Sequence, residues 1–462
     1  MRKTLFFSGL ALVALAGAFY ARQAGSDARL KKASRAAERN GWIPVHLEGT
    51  PAEIGFQHGY LLAPEIADNF KTISTELVHG EKKSWPYFRK VAREVLWPRV
   101  EAEYREELTA MVEGLKAHGV KLDLWDLVAL NAWLELPYYD KWREGNKSSG
   151  ASDHCSAFVA TGSYTKDGRV VIGHNNWTSY SSGERWNVVF DIQPAHGNRF
   201  VMDGMPGLIH SGDDFGLNSA GILVTETTIS EFTGFDPAGA PEFVRARKAL
   251  QYSQSIDDFA RLMKDGNNGG YANNWLVADR KNNEIADLEL GLKNVNLDRT
   301  HDGYFVGSNF PINPKFIREE TKFDAGDKSN SENARHARWL VLMEENKGKI
   351  DVAAGERFLG DHFDTFTGKE EPCERTLCGH VELSPRGMPT WQAPFAPVGA
   401  VQNKVTDAAS AERMTFFAAL GHACGRDFHA AAHLDSHPEY AWYRPILKDM
   451  NARPWTEFSA KQ

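Results

Sequence analysis

No long basic run occurs in this 462-residue chain, nor any stripe of interleaved basic and aromatic residues, and the formal charge is −8. Binding to a phosphate backbone depends on clustered Lys and Arg, so no nucleic-acid partner is expected. Beyond the amino terminus no apolar stretch approaches the ~20 residues that span a bilayer, and the body of the chain reads as soluble. Internal repeats and low-complexity domains are absent too. What remains is ordinary globular material, 42% hydrophobic and 25% charged, with ample core-forming residues. Length divided by ~150 suggests three domains, a guide that large layered α/β enzymes exceed.

At the amino terminus Arg2-Lys3 precedes an apolar run from Leu5 to Leu15, and Ala16-Gly17-Ala18 offers a small-x-small cleavage pattern. These flanks predict an export signal over residues 1–18, leading to the periplasm or to secretion. Left uncleaved, the apolar stretch continues to Ala21 and becomes a membrane anchor. Residues 19–154 read mainly as helix. Ala28 to Asn40 is charged and alanine-rich, Ile43 to Gly49 looks like a strand, and Pro51 and Glu53 suit the start of a helix running through Glu65. Tyr87 to Ala117 has helical spacing interrupted at Pro98, and Leu122 to Tyr138 is a further apolar helix.

After residue 154 the character changes. Trp186 to Gln193, Arg199 to Met202, Gly221 to Thr228, Asn274 to Asp279 and Glu284 to Leu290 have strand composition. Helices are expected at Pro241 to Tyr252, Ile256 to Lys264, Asn333 to Asn346 and Ala408 to Cys424. Strand runs separated by paired helices suit two packed layers covered by helices.

Asp153-His154-Cys155-Ser156-Ala157-Phe158-Val159-Ala160 puts a cysteine at the mouth of an apolar strand. Lys166-Asp167-Gly168 is a hairpin-type turn, and the returning strand carries His174-Asn175-Asn176-Trp177. A polar tract from Arg143 to Ser152 lies just upstream and suits an exposed linker. If Cys155 became a new N-terminus, its α-amine, with an ordinary pKa of about 8, would be matched to removing the thiol proton. A cysteine on a strand is more commonly a small buried hydrophobe. The local pattern leaves both readings open.

This segment resembles the nucleophile hairpin of the phospholipase B-like proteins and of the related isopenicillin N acyltransferase-like N-terminal-nucleophile hydrolases. Gly49-Thr50-Pro51-Ala52-Glu53-Ile54-Gly55-Phe56-Gln57-His58-Gly59 is similar to the acyltransferase family's opening motif. Pro206-Gly207-Leu208, Ser211 to Phe215 and Gly221 to Ile229 resemble a phospholipase B-like block, and Tyr271-Ala272-Asn273-Asn274-Trp275 the strand that follows it. The resemblance implies an α+β fold, the four-layer αββα sandwich over residues 155–462. It also implies cleavage of the His154–Cys155 bond, with residues 19–154 released or retained as an associated fragment.

The implied chemistry is acyl transfer through an acyl-cysteine on Cys155, from an amide or ester to water or an amine. A phospholipase B-like lipid deacylase and an inactive binding scaffold are the rival readings. The resemblance makes Asn273 or Asn274 the oxyanion donor, with Asn274 the expected one and Asn273 a substrate contact; the pair could equally cap a turn after Gly269-Gly270. His174 and Asn176 are further catalytic candidates, although Asn176 stands where the related hydrolases carry a carboxylate. Trp177 and Thr225 are candidate substrate contacts. Glu226 could pair with Arg245 or Arg247. The expected partner is a small acyl amide or lipid, and no cofactor or metal is expected.

Cys373, Cys378 and Cys424 are the other cysteines. With Cys155 free, at most one disulfide forms: Cys373–Cys378 is nearest in sequence and Cys378–Cys424 competes. Cys378-Gly379-His380 and His422-Ala423-Cys424, with His429, His433 and His437 nearby, could instead make a tetrahedral zinc site. Disulfide or simple packing is the expectation.

Overall fold

Alternating side chains on two sets of strands build this fold, seen here in a computed structural model that describes residues 27–145, 154–212, 215–389 and 391–461. One sheet has nine strands in the spatial order β1 (Ser34–Arg35), β2 (Ile43–Gly49), β5 (Val188–Pro194), β6 (Phe200–Gly204), β7 (Phe215–Asn218), β8 (Ile222–Thr228), β9 (Asn273–Asp279), β10 (Glu284–Leu290) and β11 (Val295–Thr300). The second has six, in the order β12 (Gly303–Gly307), β3 (His154–Thr161), β4 (Val171–Ser179), β15 (Val398–Asp407), β16 (Thr415–Leu420) and β17 (Thr456–Ser459). A small hairpin of β13 (Phe363–Asp364) and β14 (Lys369–Glu370) stands apart.

Successive strand residues point to opposite faces, and the apolar residues sort accordingly. Ala157 and Val159 of β3, Ile172 of β4, Leu223 of β8 and Leu276 of β9 share one core between the sheets. Phe158 and Ala160 turn the other way, onto Trp339, Met343 and Phe358 of helices Ser331–Glu345 and Val352–Leu359. On the outer face of the larger sheet, Val224 and Val277 meet Ile66, Leu108, Val244 and Phe259 from four further helices. Helix, sheet, sheet, helix is the order: the α+β, four-layer αββα sandwich expected. Sheets covered on both faces explain why these strands read as nearly continuous apolar runs.

The segment before Cys155 is woven into this sandwich. β2 runs parallel to β5, in register from Ile43↔Val188 to Gly49↔Pro194. Thr50 then caps helix Pro51–Leu61 in a capping box with Glu53. That helix lies almost backbone-to-backbone on helix Ala102–Ala117: a Cβ on Gly55 would fall 1.9 Å from the Glu107 carbonyl oxygen, and one on Gly59 2.1 Å from that of Met111. His58, Asn69 and Asn131 hold Pro206-Gly207-Leu208. His58 Nε2 accepts from Gly207 N at 3.0 Å, and Asn69 and Asn131 donate to the Pro206 and Gly207 carbonyls, each at 2.9 Å. Burial pushes His58 down to about 3, so the ring stays a neutral acceptor. Two of the motifs that carry the family resemblance are therefore packing devices.

Some local expectations are corrected. Ala28–Asn40 is not a long helix but a short 3-10 turn, Ala28–Lys32, followed by β1. The helix from Pro51 breaks at Leu62 and restarts at Ala63 with Pro64 in its first turn. Ala408–Cys424 is helical only to Glu412; Thr415–Leu420 is β16, paired with β15 and β17. Phe416 and Ala418 fill the inter-sheet core, so tertiary burial outweighs the helical preference of the alanines. Among the described residues no helix is long and apolar enough to cross a membrane. The export signal over residues 1–18 falls outside the described residues, as do residues 146–153 of the upstream tract and the side chain of His154.

Candidate active site

The inter-sheet core turns polar along the middle of the smaller sheet. Cys155 and Ala157 lie in register with Asn176 and His174 of β4. Gln402 and Lys404 of β15 lie opposite the same two residues from the other side. Asp203 of β6 answers across the gap: Gln402 Nε2 donates to its Oδ2 at 2.7 Å, and the fully buried Lys404 ammonium sits 3.3 Å from that oxygen.

Cys155 is itself fully buried. Its Sγ, a ring nitrogen of His174 and a carboxylate oxygen of Glu226 on β8 lie within 4.8 Å of one another. Burial, and after it the Lys404 charge, hold His174 well below the usual histidine range, against a hydrogen bond to the Glu226 backbone carbonyl. The imidazole is therefore neutral near pH 7. Three such donors could hold a cation, but Lys404 beside His174 and Arg335 beside Cys155 oppose one.

The backbone of Cys155 is gripped on both sides. Its N–H donates to Asn309 Oδ1 at 3.0 Å, and its carbonyl accepts from Arg335 Nη1 at 2.6 Å. Arg335 Nη2 donates to the same Asn309 oxygen at 2.9 Å, and Arg335 Nε to Ser331 Oγ at 3.0 Å. Asn309 has φ +64 and turns its amide nitrogen to the Thr228 carbonyl at 2.7 Å; Asn tolerates this left-handed region better than most residues. Burial draws Arg335 down to about 10, which leaves it cationic at neutral pH.

Trp177 is fully buried, its ring 4.4 Å from the Arg335 guanidinium carbon and its Nε1 donating to Asn175 Oδ1 at 3.0 Å. It braces Arg335. Asn175 ties several segments together. Its Oδ1 also accepts from Ser156 N at 3.2 Å, while its Nδ2 donates to the Leu377 carbonyl at 2.8 Å and the Leu359 carbonyl at 3.2 Å.

The two neighbouring asparagines part company. Asn274 Nδ2 donates to Asp287 Oδ2 at 3.3 Å, and Asn274 lies opposite Thr227 of β8. Asn273, with its amide nitrogen facing its acceptors, donates to the Ala272 carbonyl at 2.9 Å and to Glu226 Oε2 at 3.0 Å. The structure thus brings together Cys155, His174, Asn176 and, through Glu226, Asn273. Thr225 is buried on β8 opposite Leu276.

Glu226 does not pair as expected, because Arg245 bonds to Glu242 and Arg247 forms a double ion pair with Glu107 at 3.0 and 3.1 Å. Asn309 and Arg335 were not foreseen. A signal for Arg335 existed: it shares a helical stripe with Trp339, Leu342 and Met343, and an arginine on an apolar stripe demands a buried partner.

Comparison with known proteins shows what the chain resembles. The family model described as Phospholipase B matches residues 99–316. Bovine phospholipase B-like 1 is 22% identical over 290 residues, covering 54% of this chain and 49% of that protein. The 40 kDa form of acyl-coenzyme A:6-aminopenicillanic-acid-acyltransferase from Emericella nidulans is 26% identical over 231 residues, covering 48% of this chain and 57% of its own. The chain thus spans about half the length of these curated relatives. Among solved structures, penicillin V acylase from Agrobacterium tumefaciens aligns with 13% identity and a TM-score of 0.32, covering 57% of this chain and 82% of that one. The chain is similar in sequence to both phospholipase B-like proteins and a penicillin acyltransferase, as its motifs suggested.

Proposed function

We propose that the protein is a self-processing acyl hydrolase or acyltransferase with Cys155 as its nucleophile. The observation that carries the reading is the fixed backbone of Cys155: its nitrogen on Asn309, its carbonyl on Arg335, and its sulfur beside neutral His174. In the precursor, the Cys155 thiol attacks the His154 carbonyl carbon. The C–N bond then breaks, the acyl group moves from nitrogen to sulfur, and the nitrogen takes up the thiol proton. Water hydrolyses the thioester, releasing a carboxylate on His154 and a free α-amine on Cys155.

In the mature site that amine stays within reach of Asn309 Oδ1 and accepts the thiol proton. The thiolate adds to an amide or ester carbonyl, and Asn274, opposite Thr227, turns its amide from Asp287 to the developing oxyanion. The ammonium protonates the departing amine or alcohol, and water or an amine then takes the acyl group from sulfur. His174 and Asn176 line the sulfur side, Asn273 steadies Glu226, and Thr225 faces the acyl group. This chemistry on the chain's own groups calls for no cofactor. The β2–β5 pairing supports an N-terminal fragment that stays bound, and the Leu5–Leu15 run supports export.

A second reading, lipid deacylation, has one observation in its favour. A cleft of about 500 Å³ has aromatic and apolar walls of Tyr138, Trp142, Phe235 and Leu292, with Lys141 and Lys293 balanced by Glu319 and Glu320. Tyr138 packs against Tyr271, whose hydroxyl accepts from Thr228, the residue whose carbonyl holds Asn309. Such a cleft suits an acyl chain.

Intact-mass analysis and N-terminal sequencing test the core proposal: the larger fragment is expected to begin Cys-Ser-Ala-Phe. Cys155→Ala should abolish both scission and turnover across N-acyl amino acids, acyl-lactones, penicillins and phospholipids. Turnover persisting in that variant would sink the mechanism, and an uncut, inactive native chain would point to a binding scaffold.

A further inference from the structure

Away from Cys155, four side chains from three separate loops converge. His362 follows helix Val352–Leu359, Cys378 and His380 lie in the segment leading to β15, and Cys424 follows β16. One donor atom from each lies within 4.8 Å of all the others. The interatomic distances are specific: Cys378 Sγ and Cys424 Sγ are each 3.6 Å from His380 Nε2, and His362 Nε2 is 3.2 Å from it. A tetrahedral zinc ion with Zn–S of about 2.3 Å and Zn–N of about 2.05 Å requires S···N edges of about 3.6 Å and N···N edges of about 3.3 Å. The observed edges match that figure.

Hydrogen bonding alone does not account for the cluster. His380 Nε2 faces two sulfurs and a second ring nitrogen at once, and a single N–H can point at only one of them. The other nitrogen of His380 is committed, since Nδ1 donates to Glu382 Oε1 at 2.9 Å and Tyr180 OH donates to the other carboxylate oxygen. A carboxylate behind a ring nitrogen is the usual outer support of a metal-bound histidine, fixing the tautomer that leaves Nε2 to the ion. All four cysteines of the chain are free thiols, so no disulfide consumes Cys378 or Cys424.

We propose that His362, Cys378, His380 and Cys424 form a closed structural site for a zinc ion. Two thiolates balance its charge, and two imidazoles complete a soft tetrahedral donor set that selects zinc among abundant divalent ions. Four protein ligands leave no open position, so the ion is a clamp rather than a catalyst. It ties the loop after Leu359 and the loop after Leu377 to the end of β16. Those two residues are the ones whose carbonyls Asn175 holds beside Ser156. The site therefore sets the outer wall of the strand pair that carries Cys155. The proposal departs from the sequence-based expectation of no metal, and it exchanges His422 for His362, a residue the C-x-H and H-x-C spacing did not suggest.

The test uses full-length protein purified without chelator, with elemental analysis by mass spectrometry and a thiol count on the same sample. About one zinc per chain is expected. Cys424→Ser, at the exposed edge of the cluster, and His362→Ala should each lower zinc content at least fivefold. Cys373→Ser should keep it, as should His422→Gln. Cobalt(II) loaded into stripped protein should give the visible absorption of a tetrahedral thiolate site, lost in Cys424→Ser. Metal-free native protein that is lighter by two hydrogens, with Cys378 bonded to Cys424, would overturn the proposal. Metal-free protein with both thiols titratable and no cobalt spectrum would overturn it equally. Zinc retained in His362→Ala but lost in His422→Gln would show the ligand set to be wrong. None of these readouts depends on turnover.

Discussion

Replacing Asn309 by Asp probes how the α-amine of Cys155 would be held. The change keeps the oxygen that accepts from Cys155 N at 3.0 Å and from Arg335 Nη2 at 2.9 Å, and it adds a negative charge at that point. At ~3 Å and an effective dielectric of ~20, a carboxylate attracts an ammonium by about 5 kcal/mol. Arg335, equally close to the same oxygen, takes up most of that field. A rise of about one to two pKa units in the amine remains, the ordinary effect of a contacting opposite charge. The amine must be neutral to accept the thiol proton, so a raised pKa removes its working form. From an ordinary value of about 8, the shift lowers kcat/KM at pH 7 by roughly tenfold to a hundredfold. Activity should recover as pH rises, with the acid limb displaced upward by the same one to two units. The assay is a pH profile of kcat/KM on protein whose scission has first been verified by mass. A uniform loss at every pH would signal structural damage, and an unmoved acid limb would show that the proton goes elsewhere, with His174 next in line.

Three further outcomes are expected. Asn274→Ala should lower turnover by roughly a hundredfold if its amide meets the oxyanion, whereas Asn273→Ala should act more mildly through Glu226; steady-state kinetics that reverse this order would move the oxyanion site to Asn273. Arg247→Met strands the buried Glu107 carboxylate and should cost about 3–5 kcal/mol of stability, read as a shift in the denaturant midpoint; a change under 1 kcal/mol would contradict a dry ion pair. Burial raises Glu184 to about 7 in the folded chain, so its stabilising share is full below the ordinary ~4.5 and lost as pH rises toward 7. Glu184→Gln should therefore be neutral near pH 4.5 and stabilise by about 3 kcal/mol at pH 8, and thermal unfolding with no such divergence would place that side chain in water.

Much of the scaffold was legible because burial imposes a period. β8 and β10 lie within a residue of their expected bounds, each buried along nearly its whole length. Ala408–Cys424 misled because alanine-rich composition favours helix locally, while the strand at Thr415 exists only through its neighbours β15 and β17. The candidate site divides in the same way. Cys155, His174 and Asn176 belong to one hairpin, so a local motif could place them face to face. Asn309 and Arg335 reach Cys155 across 154 and 180 residues, and no spacing rule reports contacts that the topology alone creates. His362 stands outside the C-x-H and H-x-C pairs that mark Cys378, His380 and Cys424 in the sequence.

The parallel pairing of β2 with β5 has a consequence for the life of the molecule. A cut before Cys155 would leave one polypeptide supplying the two strands at one edge of the other's larger sheet. Before the cut, an unfolded molecule can refold by itself at a rate independent of concentration. Afterwards the same event separates two chains that must find each other again, so recovery becomes second order and the apparent melting temperature depends on dilution. Scission would thus act as a ratchet on assembly: the sandwich forms once as a single chain, and from then on it endures through slow unfolding rather than through a reversible equilibrium.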